Sequence, residues 1–464
     1  MPFRYVEVEQ CPYAITPGTI RQIAVTYPFD NEAADFVSSD PALDEVYRFC
    51  KYSIRATTFA GIYVDGDRER IPYEADAYIN QLCHYALDRE FTMARNTYEH
   101  LMKHPTWPTE WKQHAIMMAW ADWMYTGNKE ALERWYEALK EKKLLLFRAP
   151  ARNQLLVTAG PYEAMQDGSR DIVDWPACER DGFVFKPTNV VVNAFHLLNL
   201  RQMRDIAEAL GKEEDATAFH ARVMELRDKF HLAFYDSKRG RYRDGVGTDH
   251  SSLHANMFPM AFGLVPEEEL GRVASHMHWR GMACSVYGAQ YLLEALFEAG
   301  LEEEALRFLT RDDLRSWRNM INFGSTITTE AWDRMLKPNL DWNHAWGAVP
   351  ANIIPRYILG VRPLEPGFGK ILIRPQIASL KAVEGYIPTI RGRISVGIRQ
   401  EPGKSYRLQF TIPFNTTAWV QLPAWENAVL RLDGSKVTPT VRGKRHGLEE
   451  VASGTHTVEM TVEE

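Results

Sequence analysis

Apolar and polar positions fall into three textures along the chain. Up to residue 37 they alternate, as in Phe3-Arg4-Tyr5-Val6-Glu7-Val8 and Gln22-Ile23-Ala24-Val25-Thr26-Tyr27, the period-2 signature of extended strands. Such stretches are too few to form a sheet covered on both faces, so they must pack on another part of the molecule. From Ser39 the period becomes helical. Ser39-Asp40-Pro41 offers a capping side chain and then a proline in the first turn, where its missing N–H costs nothing. The run from Ala42 to Thr57 sets Leu43, Val46, Tyr47, Cys50 and Ile54 on one stripe. The same spacing predicts helices over 75–88, 90–103, 110–126, 129–146, 188–211, 214–235, 252–263, 266–277, 282–299 and 301–312, with a twelfth near 346–357. Gly127, Gly211 and Gly300 sit where helices should stop. Past Gly360 the texture changes to short β-rich runs, among them Ile371-Leu372-Ile373, Arg393–Ile398, Tyr406–Ile412 and Ala418–Leu422, separated by Gly, Pro and Asn. This pattern predicts an antiparallel β-sandwich.

About twelve helices joined in hairpins leave two all-α forms, a solenoid or a closed toroid of six hairpins. No repeat of solenoid length is visible, which favours the toroid. The expected fold is therefore mainly α: an (α/α)6 barrel over 38–357, a C-terminal antiparallel β-sandwich over 358–464, and a short N-terminal β segment over 1–37, the remnant of an upstream β-domain. Three inter-helix loops, 58–74, 147–187 and 313–345, are long and rich in Asp, Glu, Arg, Trp and Gly. Long loops in a compact domain usually carry function, and in a barrel these three could converge on one mouth.

Composition narrows the chemistry. The 464 residues exceed one ordinary core, and 45% hydrophobic and 25% charged content is that of a soluble globular protein. A net charge of −7 argues against a nucleic-acid partner, which would favour a basic face. The 13 Trp and 20 Tyr suit either a core or a carbohydrate cleft, where the C–H face of a sugar lies flat on a ring. Cys11, Cys50, Cys83, Cys178 and Cys284 form no CxxC pair and read as buried free thiols. No apolar run is long enough to span a bilayer, and the start does not read as a signal peptide, so the expected compartment is the cytoplasm unless an export leader has been removed. No P-loop, GxSxG or convincing GxGxxG is present, which lowers the weight of phosphoryl transfer, serine hydrolysis and dinucleotide chemistry.

The first long loop holds Val64-Asp65-Gly66-Asp67-Arg68-Glu69-Arg70-Ile71-Pro72-Tyr73-Glu74-Ala75-Asp76. Carboxyls crowded together raise one another's pKa, which is how a carboxylic acid stays protonated near neutrality, although Arg68 and Arg70 oppose that rise. A salt-bridged helix start is the alternative. The third long loop holds Glu330-Ala331-Trp332 and then Asp341-Trp342-Asn343-His344, a mixture suited to sugar hydroxyls and the apolar face of a ring. His344 has no second His or Cys at ligand spacing, so no metal site and no cofactor is expected. The second loop pairs Asp174 with Trp175, and Trp107 stands shortly before Glu110 and Trp111, where a helix cap or a ligand contact are both open. His250 and His254 lie four apart at a helix start, without the glutamate of a metalloprotease.

These motifs resemble glycoside hydrolase family 78, the α-L-rhamnosidases. The resemblance runs from the FRYVEV-like strand at Phe3 through Ser39-Asp40-Pro41, the Arg68-Glu69-Arg70 loop, Glu330-Ala331-Trp332 and the Asn343-His344 pair to Gly360–Gly367 before the sandwich. It implies a general acid at Glu69, a general base at Glu330, and sugar ligands at Asp65, Asp76 and His344, with Asp174-Trp175 matching a mid-barrel Asp-Trp. Tyr73 stands where the family usually has Trp, and the loop leading to Glu69 is shorter than the family's. Arg68, Tyr73, Trp107, Trp175, Trp332 and Trp342 complete the set of expected substrate contacts. The implied activity is inverting hydrolysis of a terminal α-L-rhamnoside, with a small saccharide as the partner, neither nucleic acid nor membrane, and a homodimer as one candidate assembly. The competing readings are another (α/α)6 glycosidase or phosphorylase, acting on a different deoxy sugar or a uronic acid, and a barrel that binds saccharide without turning it over.

Overall fold

In the computed structural model, which describes residues 5–151, 154–442 and 445–462, the stripe from Leu43 to Ile54 is buried on the first helix, α1 (Pro41–Thr57). The Asp40 carboxylate accepts the Ala42 N–H at 2.9 Å and Pro41 occupies the first turn, so the helix starts where its local sequence directs. Ten further helices follow: α2 (Glu74–Leu87), α3 (Thr92–Lys103), α4 (Thr109–Thr126), α5 (Glu130–Ala138), α6 (Val190–Ala209), α7 (Glu213–Phe234), α8 (His254–Ala261), α9 (Leu270–Arg280), α10 (Gly288–Glu298) and α11 (Glu302–Thr310). The short α12 (Trp317–Asn322) and α13 (Pro350–Ile353) close the series, α13 running straight into a wider turn over Ile354–Ile358.

Burial sorts these helices into two layers. Of the 14 residues of α2, 13 are buried, whereas α3 buries only 6 of 12, on one stripe. A helix apolar on all sides belongs inside and an amphipathic one outside. The inner helices α2, α4, α6, α8, α10 and α13 each pack on the next, and α13 packs back on α2, closing a ring of six. Helices α1, α3, α5, α7, α9 and α11 form the outer layer. The expected toroid is thus present, with local differences. Helix α10 begins at Gly288 rather than near 282, because the Ser285 N–H and hydroxyl are drawn aside to the carboxylate of Asp174. Helix α12, capped by the Ser316 hydroxyl, arises inside the loop expected over 313–345.

The C-terminal region is a two-sheet sandwich. One sheet has seven strands: β1 (Asp35–Ser38), β6 (Ala382–Ile387), β7 (Ile394–Glu401), β8 (Ser405–Ile412), β14 (Gly454–Val462), β10 (Ala428–Leu432) and β11 (Ser435–Val437), in that spatial order. The other is ordered β12 (Thr440–Arg442), β13 (Arg445–Val451), β9 (Thr417–Pro423), β5 (Lys370–Ile373) and β4 (Val361–Pro363). Strand β8 shows the logic, burying Tyr406, Leu408, Phe410 and Ile412 on one face. The pairing is antiparallel except between β5 and β9, which run parallel. A small hairpin, β2 (Tyr235–Asp236) with β3 (Arg241–Tyr242), follows α7.

The β segment at the start of the chain is β1 alone, and it pairs with β6 of the sandwich. The alternating stretches expected as strands do not form ladders: residues 5–8 and 22–27 carry no strand and are mostly exposed, while Phe3 and Arg4 lie outside the described residues. Alternation alone does not make a strand when no neighbouring edge supplies the hydrogen bonds. Barrel and sandwich meet at Gly360, whose φ of 75° suits glycine and where a Cβ would lie 2.1 Å from the Arg374 carbonyl carbon. Of the thiols, Cys50, Cys83 and Cys284 are buried but Cys11 and Cys178 are exposed, against the expectation of uniform burial. Among the described residues no helix is long and apolar enough to cross a membrane.

Candidate functional site

The first loop is shaped by its own backbone. The Asp65 N–H donates to the Ile71 carbonyl at 2.9 Å, and the Ile71 N–H donates back to the Asp65 carboxylate at 3.2 Å. Arg70, at φ 58°, turns the chain between them, and Arg68 and Glu69 project from the bend. Pro72 then ends the loop, and α2 starts at Glu74 with Asp76 in its first turn. The third loop folds on Glu330: its N–H donates to the Asp341 carbonyl at 3.0 Å, the Asp341 N–H donates to Glu330 Oε2 at 2.9 Å, and the Trp346 indole donates to the Glu330 carbonyl at 3.0 Å. First and third loops are stitched by a bridge between Gly66 and His344. Glycine is required there, since a Cβ on Gly66 would stand 2.6 Å from an Asp341 carboxylate oxygen.

The second loop runs along the start of α4. Thr109 donates to the Arg170 carbonyl at 2.9 Å, and the Arg170 guanidinium lies 5.2 Å over the Trp107 ring. Glu110, fully buried, accepts the N–H groups of Ile172 and Val173, which fixes Val173 at φ 63°. A β-branched residue in that region is strained and persists only when its neighbours hold it. Burial, aided by the charge of Asp171, pushes the Glu110 carboxyl up to about 8. Glu110 therefore neither caps its helix nor faces ligand; it anchors the loop that presents Ile172 and Trp175.

The three loops meet on a cavity of about 260 Å3 lined by Asp65, Arg68, Glu69, Tyr73, Asp76, Trp107, Trp111, Ile172, Trp175, Glu330, His344 and Trp346. Arg68 stands between the two acids expected to react: one guanidinium nitrogen is 3.4 Å from Glu69 Oε1 and 3.4 Å from Glu330 Oε1. Those two oxygens can therefore be no more than twice that distance apart. The carboxyls differ in exposure, 40% for the Glu69 side chain and 5% for Glu330, so one faces the mouth and the other the floor. The Tyr73 hydroxyl donates to Glu69 Oε2 at 2.8 Å. Glu330 Oε1 also accepts the Trp175 indole N–H at 3.3 Å, and Oε2 faces the Lys337 ammonium at 3.1 Å. Burial works to raise its pKa, but the Asp341 N–H, His344 and Lys337 together outweigh it and leave Glu330 below the usual range.

The remaining carboxyls go the other way. Burial, with the charges of Glu69 and Asp341, lifts Asp65 to about 6, and burial with Asp65 drives Asp76 well above the usual range. His344 is pushed down to about 3 by burial and is neutral. Its Nε2 lies 3.0 Å from Asp76 Oδ1, yet that oxygen and both ring nitrogens are buried with no aligned hydrogen-bond partner among the described residues. Buried polar atoms are normally satisfied, so these, at the cavity wall, suit a polar ligand. The aromatic side is formed by Tyr73, Trp111 and Trp346, with ring centroids 5.6 Å and 6.1 Å from Trp111 in edge-on contact.

Of the expected substrate contacts, three lie away from the cavity. Asp174 is fully buried, bonded to His254 Nε2 at 2.6 Å and to Ser285, because it points inward where Trp175 points out. Trp332 is fully buried against Trp317 and donates to the Cys284 carbonyl at 2.8 Å, a core residue rather than a wall. Trp342 is exposed, its ring against Phe323. Conversely Trp111, where the sequence leaves cap and ligand contact both open, lines the cavity, as do Trp346 and Ile172, which lie outside the expected contacts. The first lies one helical turn beyond Trp107 and the second two residues beyond His344, spacings that carry the signal. Among the described residues no three His, Cys, Asp or Glu groups converge as they would around a metal ion.

Comparison with known proteins bears on this site. Residues 31–358 match the family model of the bacterial alpha-L-rhamnosidase 6 hairpin glycosidase domain, and residues 360–435 match that of the bacterial alpha-L-rhamnosidase C-terminal domain. An alpha-L-rhamnosidase from Alteromonas sp. (strain LOR) is 24% identical over 469 residues, covering 92% of this chain and 49% of that protein. One from Formosa agariphila is 26% identical over 267 residues, covering 54% of this chain and 28% of its own length. The chain thus spans about half or less of these relatives. Among solved structures, an alpha-L-rhamnosidase from Dictyoglumus thermophilum shares the fold with a TM-score of 0.80 at 20% identity, covering 97% of this chain and 52% of that one. The Streptomyces avermitilis alpha-L-rhamnosidase complexed with L-rhamnose gives 0.74 at 18% identity, covering 93% and 42%.

Proposed function

The chain belongs to the bacterial alpha-L-rhamnosidase six-hairpin glycosidase family, and from that premise we propose that it hydrolyses terminal α-L-rhamnosides with inversion at the anomeric carbon. The observation that carries this reading is the pair Glu69 and Glu330 flanking one guanidinium across a cavity of single-ring size. Inverting enzymes hold their carboxyls about 6.5–9.5 Å apart to admit a water, and retaining ones about 5–5.5 Å. A shared neighbour 3.4 Å from each nearest oxygen admits both spacings, so inversion is proposed from the family and not from this distance.

In this mechanism Glu69, at the mouth where an aglycone departs, gives its proton to the glycosidic oxygen. Glu330, at the floor and held ionised, takes a proton from water as its oxygen attacks C1 and the glycosidic bond breaks. Asp65, Asp76 and His344 hold ring hydroxyls with their buried polar atoms, and Tyr73, Trp111, Trp175 and Trp346 cover apolar faces. A methyl group at C5, in place of a hydroxymethyl, gains roughly 1–3 kcal/mol from such an apolar surface. The small cavity, of about 260 Å3, favours removal of one terminal sugar over internal cleavage.

The lining also weighs on the alternatives. Among the described lining residues the one guanidinium, Arg68, is already shared by Glu69, Glu330 and Asp341, which disfavours a uronate or a phosphate co-substrate. Aryl α-L-rhamnoside is expected to be cleaved, and other aryl glycosides, uronides included, to be poor substrates with or without phosphate. Glu69→Gln and Glu330→Gln are each expected to lose at least about a hundredfold in kcat, the scale of general acid–base catalysis. Activity within a few-fold of the parent in either variant would sink the assignment. Sugar binding without product release would instead support a non-catalytic barrel.

A further inference from the structure

One nearly buried cation in the site is not used by the mechanism above. On the reading that Glu330 is the base, we infer that Lys337 is a positioning residue that holds Glu330 ionised and turns its Oε1, rather than Oε2, toward the reacting water.

Three donors crowd Oε2: the Asp341 N–H at 2.9 Å, the Lys337 ammonium at 3.1 Å and an Arg68 nitrogen at 3.4 Å. Oε1 accepts only from groups that line the cavity, the Trp175 indole at 3.3 Å and the second Arg68 nitrogen at 3.4 Å. Oε1 is therefore the less crowded oxygen, held by two longer bonds on the cavity side, and the one a water can reach. Lys337 is 6% exposed, and its other side-chain partner is the neutral amide oxygen of Asn339 at 3.1 Å. An ammonium removed from water needs a counter-charge, and Glu330 supplies it. Protonating Glu330 would leave Lys337 buried beside a neutral acid, so the resting state is ionised.

Other groups face Glu330 from each packed element. The first loop brings Arg68 and, beyond it, Glu69; α2 brings Asp76; the second loop brings the neutral indole of Trp175; the third loop brings Lys337, Asp341 and the neutral ring of His344. The anions among them favour protonation of Glu330, and Arg68 and Lys337 oppose it. Arg68 lies within 4 Å of Glu69 and Asp341 as well, whereas Glu330 is the one carboxylate within that distance of Lys337 among the described residues, although the lysine's charge also reaches Asp341 and His344. In the chemical step the water proton moves to Oε1, the water oxygen bonds to C1, and the leaving oxygen takes the Glu69 proton as its bond to C1 breaks. The two cations then favour rapid release of the new proton from Oε1 to solvent.

The test is the titration of Glu330 in the full chain. Lys337→Met removes the charge, and Lys337→Gln removes it while keeping a polar partner for Asn339, which guards against a variant that fails to fold. Both are expected to move the acid limb of kcat/KM upward by about one pH unit, the scale for losing an opposite charge in contact. Lys337→Arg is expected to keep the parent limb. Carbon-13 NMR of labelled glutamate carboxyls, with the Glu330 signal assigned by its loss in Glu330→Gln, is expected to report the same upward shift without reference to turnover. An unmoved Glu330 titration in both neutral variants overturns the role of Lys337, whatever the activity. A shifted titration in a chain that cleaves no rhamnoside would uphold the ion pair and overturn only the proposed reaction.

Discussion

Glu110 offers the sharpest test of how the pocket wall is held. Its carboxyl accepts the Ile172 N–H at 3.0 Å and, through the same oxygen, the Val173 N–H. Those amides are buried, and no solvent can replace the lost acceptor. In Glu110→Ala each orphaned amide costs about 1–3 kcal/mol. Part of this is returned when Val173 leaves its left-handed conformation, itself worth about 1–3 kcal/mol. The net loss, about 1–3 kcal/mol, lowers the melting temperature by a few degrees. Relaxation of Val173 also withdraws the Trp175 indole, two residues on, from its 3.3 Å contact with Glu330. A misplacement of about 1 Å near the chemistry costs roughly a hundredfold, so kcat/KM should fall by 10- to 100-fold. Glu110→Gln is the control. Burial and the charge of Asp171 favour the neutral acid, and an amide oxygen in the Oε1 position keeps both bonds. The amide variant should stay within a few-fold of the parent in kcat/KM and within about 1 kcal/mol in stability. Calorimetry and steady-state kinetics on an aryl α-L-rhamnoside read both quantities. A fully active Glu110→Ala refutes the anchoring role, and a Glu110→Gln as damaged as Glu110→Ala refutes the neutral acid.

Other predictions probe separate parts of the molecule. Glu298 is held down to about 2 because Arg362 and Arg374, at 2.5 Å and 2.7 Å, outweigh its burial, so its contribution is present above the ordinary glutamate pKa and is lost as pH falls toward 2. That contribution is about 2–3 kcal/mol, and Glu298→Gln should flatten the melting temperature between roughly pH 5 and 2; an unchanged slope excludes it. Trp332→Phe should lower stability by about 1–3 kcal/mol with KM unchanged, while Trp175→Phe should leave stability near the parent and lower kcat/KM about tenfold; the reverse pattern would exchange their assigned places. Gly66→Ala should break the stitch to His344 and cost at least about tenfold in kcat/KM, and wild-type kinetics would show that the two loops do not depend on each other.

What could be read in the sequence is what depends on near neighbours. The Asp40-Pro41 cap and the stripe from Leu43 to Ile54 need only one turn of helix to express themselves, and α1 follows them. Glu69 is picked out of its crowded loop by the family resemblance, since composition alone fits a salt-bridged helix start equally well, whereas Glu330 already stands out between Thr329 and Trp332. What is not legible is direction, because adjacent residues need not face the same way. Asp174 and Trp175 are neighbours in sequence, yet one enters the core toward His254 and the other the cavity. Trp332 resembles a sugar platform in its loop but fills the space against Trp317. Lys337-Pro338-Asn339 has the composition of a solvated turn, and only the folding of the loop back on Glu330 makes the lysine a buried counter-charge. The alternating runs at 5–8 and 22–27 show the converse: a local pattern without a partner edge stays unpaired.

The pairing of β1 with β6 has a consequence for the order of assembly. Val37 lies opposite Glu384, so a strand made before the barrel has its partner made after it. The barrel emerges from the ribosome between them. Until β6 appears, Asp35–Ser38 has no ladder to join, and the seven-stranded sheet lacks its edge. Closure of that sheet therefore fastens the start of α1 to the far domain last, as a clasp rather than a foundation. Load applied along the chain from Asp35 would shear this clasp before it reached the ring of helices.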